Sequence, residues 1–127
     1  QHERDARAAG CDADVAAHLV RAHGTRWRFP WGLATREPAL AARLDPSLPY
    51  LRAEVVWAAA CEGAWTVADV LVRRLPIAYE RRDAVRALAG DAAELLARVH
   101  GWTDAERVAA ERAYAGEAER LFGIVTS

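Results

Sequence analysis

The sequence predicts an all-α protein, a compact bundle of five or six helices wrapped around a central helix pair at about residues 50–62 and 66–75. Three observations carry that expectation. Alanine, leucine and arginine, all strong helix formers, dominate the chain. Apolar residues recur at helical spacing, as at Leu51, Val55, Ala58 and Cys61. No run alternates β-branched and polar residues as a half-buried strand requires.

The elements follow in order. Residues 1–11 carry charge without pattern and are expected to be a loose N-terminal segment. Asp12 or Asp14 can cap a first helix that bears Val15, Leu19 and Val20 on one stripe and stops near Gly24. Pro30 interrupts any helix begun at Arg26, so helical structure is expected to resume over 31–37, with a short turn from Pro38 through Arg43. Asp45-Pro46 and Leu48-Pro49 form a loop ahead of the central helix. Gly63 ends that helix, and Thr66 with Asp69 three positions on resembles a capping box opening the next, which Pro76 kinks or stops. The charged run 80–83 marks a further boundary. Gly90-Asp91 is read as the opening of a helix closed by His100 and Gly101, and Thr103-Asp104-Ala105-Glu106 as a full capping box for a long last helix.

With 127 residues, 53% hydrophobic and 28% charged, the composition fits a single helical domain over 1–127. Its longest uncharged apolar stretch, from Val55 to Cys61, is far too short to cross a bilayer, and the start shows no secretory pattern. Cys11 and Cys61 lie fifty positions apart and suit reduced thiols. A cytoplasmic location is therefore expected. All 17 basic residues are arginine, and methionine is absent, a bias that suggests a bacterial genome and a missing natural start. Eighteen acids against those bases leave a formal charge of -1, which predicts no polyanion footprint and no nucleic-acid partner.

Glu54 and Glu62 share one stripe of the central helix, while Asp69 and Arg73 sit four apart on the next. Joined by a short link, the two helices can set Glu54, Glu62 and Asp69 against Arg73 and Arg74 as a structural ion-pair network. Bidentate guanidinium contacts would keep those acids ionised, which argues against paired acids for proton transfer. His18 and His23, five apart, point to different faces and have no zinc spacing, so no metal site is expected. Ser47 and Ser127 offer no nucleophile with a histidine partner, and no glycine-rich phosphate loop exists. No catalytic residue is assigned. Trp57, Trp65 and Trp102 fall on apolar stripes or at helix boundaries and are expected in the core. Arg26, Trp27, Arg28, Phe29 and Trp31 cluster around Pro30 and form the candidate docking patch.

The succession Glu54-Val55-Val56-Trp57, then Glu62-Gly63-Ala64-Trp65-Thr66-Val67-Ala68-Asp69-Val70-Leu71-Val72-Arg73-Arg74, resembles the C-terminal domain of FAD-dependent glycerol-3-phosphate dehydrogenases and alpha-glycerophosphate oxidases. There the pattern reads E, any, A, any, T, two positions, D, any, L, any, R, R. His18 to Arg21 with Gly24-Thr25-Arg26, then Leu48-Pro49-Tyr50, and later Gly101-Trp102 extend the likeness from about Asp12 to Tyr114. His23 stands where the family has tyrosine, and Leu75 where threonine is usual. The resemblance implies a parent that oxidises glycerol 3-phosphate to dihydroxyacetone phosphate. Flavin and substrate would bind an N-terminal flavin domain, so no cofactor is expected in this chain. It further implies quinone or oxygen as acceptor, peripheral association with the inner face of the cytoplasmic membrane where quinone is used, and room for a homodimer. Two other readings stay open: a helix-turn-helix DNA reader built on Arg73 and Arg74, and a free-standing helical interaction domain.

Overall fold

The computed structural model describes residues 1–74 and 85–122, with side chains left aside at 72–74, 85–87 and 117–122. Among the described residues there are six α-helices and no strand. They are α1 His2–Ala8, α2 Ala13–His23, α3 Arg28–Arg36, α4 Arg52–Cys61, α5 Val85–His100 and α6 Asp104–Phe122. Backbone contacts divide the chain into two compact units, Gln1–Trp57 and Ala58–Ser127.

In the first unit, the segment expected to be loose is α1, whose Ala6 is fully buried. Asp12 occupies the N-cap position of α2 without a side-chain cap bond. Asp14 Oδ1 instead accepts from Val15 N at 2.9 Å, and Arg43 reaches back to Asp14 at 2.7 Å and Asp12 at 3.4 Å. Gly24 ends α2 at φ +58°, a left-handed turn that glycine enters without the Cβ penalty. A 3₁₀ turn, Gly24–Trp27, leads straight into α3. Pro30 does not break α3, because it lies in the first turn, where its missing N–H has no intrahelical acceptor to lose. Pro38–Ala41 forms the expected short turn, and an isolated antiparallel bridge joins Arg43 to Leu51 across the proline loop. Asp45 stiffens that loop by accepting from both the backbone and the hydroxyl of Ser47.

Along α4, Ala53, Glu54, Val55, Val56, Ala58 and Ala59 are all buried. A helix apolar around most of its circumference has no face to leave in water. In the second unit, Thr66 and Asp69 make the reciprocal capping box: Thr66 N donates to Asp69 Oδ2 at 3.1 Å, and Asp69 N to Thr66 Oγ1 at 3.0 Å. The winding that follows, Asp69–Arg74, is π-helical, not α-helical. Pro76 and the charged run 80–83 lie outside the described residues. Gly90 and Asp91 do not open α5 but sit inside it, since flanking alanines and leucines carry the helix through at about 1 kcal/mol for the glycine. Gly101 (φ +70°) closes α5 as expected. Thr103 and Glu106 complete the second capping box at 3.0 and 3.2 Å and start α6.

Candidate functional site

The most tightly built polar group lies in the first unit. Glu54, in the first turn of α4, is 1% exposed, and its carboxylate takes donors from two histidines of α2. His18 Nε2 donates at 2.7 Å to Oε1 and 2.9 Å to Oε2; His23 Nε2 donates at 3.1 Å to Oε1. Leu51 N adds a fourth contact at 3.3 Å. Because the carboxylate can only accept, both imidazoles carry hydrogen on Nε2. Tyr50 packs edge-on against His18 with ring centroids 4.4 Å apart, sealing the group. Burial pushes the Glu54 carboxyl up, but the hydrogen bonds and charge of His18 and His23 outweigh it and hold the group below its ordinary value of 4.5.

The donors that Glu54 takes here are histidines of α2. A buried carboxylate takes the nearest donors, and histidine, shorter and fixed on α2, reaches it without the entropy a long guanidinium side chain loses. Nor do His18 and His23 serve different faces: five positions apart, they flank a single acceptor. Asp69 belongs to the Thr66 cap, accepting also from Trp65 N at 3.1 Å. Glu62 is half-buried just past the end of α4. The side chains of Arg73 and Arg74 lie outside the described residues. As chemistry, the cluster ties α2 to α4: both histidine Nε2 atoms are committed to the acid, and the side chains of His18, Glu54 and His23 are no more than 7% exposed. Among the described residues, no group of three His, Cys, Asp or Glu is placed to hold a metal ion.

The patch around Pro30 divides. Trp27 is 2% exposed and belongs to the core. Arg28 lies over its ring at 4.6 Å and meets Asp5 of α1 at 3.5 Å. Phe29 is outward, 54% exposed, and stacks on half-buried Trp57 with centroids 5.2 Å apart and planes within 10°. Half-buried Trp31 donates its indole N–H to Ala9 O at 3.2 Å, while Arg26 is exposed.

In the second unit, Trp65 is 57% exposed and Trp102 half-buried, against the expectation of core positions. Each lies beside a capping threonine, where the chain turns out from the helix it is about to enter. His100 Nε2 donates to Ala64 O at 2.8 Å and lies flat on Trp65, centroids 3.6 Å apart. Trp65, Trp102, Tyr114 and Glu106 line a hollow of about 400 Å³ floored by alanines of α6.

Residues 1–107 match the family model for the C-terminal domain of alpha-glycerophosphate oxidase. The chain belongs to this family. Similar curated proteins include the probable mitochondrial glycerol-3-phosphate dehydrogenase of Caenorhabditis elegans, 35% identical over 102 residues, or 77% of this chain and 14% of that protein. Glycerol-3-phosphate dehydrogenase 2 of Mycobacterium tuberculosis is 34% identical over 89 residues, 70% of this chain and 15% of the relative. The glycerol-3-phosphate dehydrogenase of Synechocystis is 38% identical over 87 residues, 68% of this chain and 16% of the relative. The chain thus spans about 14–16% of the length of these relatives. No solved structure matches it. As a member of the alpha-glycerophosphate oxidase C-terminal domain family, it has a six-residue π-helical segment where a helix-turn-helix reader would place its recognition helix, and the relatives lend the DNA-binding reading no support.

Proposed function

We propose that this chain is the accessory C-terminal domain of an FAD-dependent glycerol-3-phosphate dehydrogenase, and that its own part is scaffolding and docking. The parent oxidises glycerol 3-phosphate to dihydroxyacetone phosphate and passes electrons to quinone or oxygen, in the quinone case as a cytoplasmic enzyme peripheral to the inner face of the membrane. One observation supports the reading: the family match covers residues 1–107, and the relatives are named glycerol-3-phosphate dehydrogenases.

FAD would supply the hydride acceptor in the parent. The residues that line the hollow of the second unit do not fit it: beside alanines, aromatic rings, Thr66 and Val67 there is one charged side chain, Glu106, which repels a diphosphate. We therefore place the flavin, and every catalytic residue, in the N-terminal flavin domain of the parent. The Phe29–Trp57 stack with Arg26 and Arg28 is our choice for the face that meets that domain, an exposed aromatic anchor with a basic rim. A homodimer of the parent is compatible with this arrangement.

The test is anaerobic titration of the polypeptide that carries this domain together with its upstream coding sequence. Glycerol 3-phosphate should bleach a bound flavin, while this chain alone should shift no flavin spectrum. A long polypeptide that binds flavin but is not reduced by glycerol 3-phosphate would overturn the reading.

A further inference from the structure

The hollow of the second unit has a chemistry of its own. Trp65 and Phe29 are the large hydrophobic residues left exposed among the described residues, and Trp65 is held in place. His100 lies flat on one side of its indole, and His100 is itself fixed by its bond to Ala64 O. Trp65 and Trp102 both line the hollow, and one face of the Trp65 ring is covered by His100. An exposed indole clamped in one orientation has already lost the freedom that binding would otherwise cost.

Trp102 and the ring of Tyr114 complete the aromatic wall. The electron-rich faces of such rings attract cations, indole most strongly. Glu106 is the charged side chain on the lining; its Oε1 accepts from Thr103 N at 3.0 Å, which leaves Oε2 for a second partner. Asp104 joins Glu106 in the first turn of α6 and offsets the positive end of that helix, which would otherwise oppose a cation. Alanines at 109, 110 and 113 keep the floor low, so the volume of about 400 Å³ stays open. We infer that this hollow is a binding site for an organic cation, an ammonium or guanidinium group seated against Trp65 and Trp102 and balanced by Glu106. Aromatic rings without a carboxylate would favour neutral apolar groups; the acid at the rim selects charge.

The experiment follows the indole N–H signals of the 127-residue chain by NMR during titration with choline and with N-acetyl-argininamide. Each is paired with its uncharged isostere, 3,3-dimethylbutanol or N-acetyl-citrullinamide. The cations should move the Trp65 and Trp102 signals in a saturable way, and the isosteres should not. Tighter binding of choline points to a small-molecule ligand; tighter binding of the arginine derivative points to a side chain of a partner protein. Trp65→Ala should weaken the preferred cation about tenfold, in line with a desolvated cation–π contact. Glu106→Gln keeps the oxygen that caps Thr103 and should weaken it several-fold, so the outcome does not hang on the Trp65 variant folding. Equal binding of cation and isostere, or no response to either cation, would overturn the assignment.

Discussion

Glu54 shows how a single residue decides whether a helix pair holds. Its carboxylate is out of water with donors on both oxygens, so Glu54→Ala should strand two imidazoles and cost about 3–5 kcal/mol, read by urea unfolding. Its acidity sets the pH dependence. A carboxyl held below its unfolded value binds fewer protons in the folded state, so its stabilisation is complete above its ordinary value of 4.5 and fades as pH falls through the lower folded value. Stability measured below pH 4.5 should therefore drop more steeply in the natural chain than in Glu54→Gln. The cysteines make a second contrast at this scale. Burial first, and then the neighbouring Asp12 carboxylate, push the Cys11 thiol up to about 11, whereas Cys61 is exposed. At pH 8 a thiol reagent should label Cys61 promptly and Cys11 only on unfolding, as counted by mass spectrometry. Equal labelling rates would contradict the packing around Cys11.

Among the elements, those legible in the sequence were the ones written in local chemistry. Thr66 with Asp69 and Thr103 with Glu106 are capping boxes because side chain and backbone three residues apart must meet in any helix start. Thr66→Ala and Thr103→Ala should each lower stability by about 1 kcal/mol, measured by thermal melts, with little effect at exposed alanines of α6 such as Ala105. Less legible were features set by partners far along the chain. Nothing local marks α1, whose one fully buried side chain is a small alanine. The pairing of His18 and His23 with Glu54 bridges more than thirty positions, and so does His100 with Ala64. Helical periodicity located both histidines correctly on α2, yet their convergence depends on where α4 lies. Arg43 was legible as a turn residue only; its grip on Asp12 and Asp14 is a tertiary fact.

For the whole molecule, the resemblance read from the run 62–74 and its flanking motifs agrees with the family match, because that run includes a capping box and a glycine turn that tolerate few substitutes. The aromatic residues were harder to place: apolar stripes and helix boundaries put Trp57, Trp65 and Trp102 in the core, and Trp65 stands outside it. The buried histidine–carboxylate group is a structural tie between α2 and α4, and on the proposed reading catalysis lies elsewhere in the parent. The most direct test is Glu54→Gln in the proposed full-length flavoprotein, with melting temperature and turnover per bound flavin measured on the same sample. A melt lowered by several degrees with turnover per flavin within about twofold of the natural protein is the predicted result. An unchanged melt with turnover lost a hundredfold would contradict it and make Glu54 part of the chemistry.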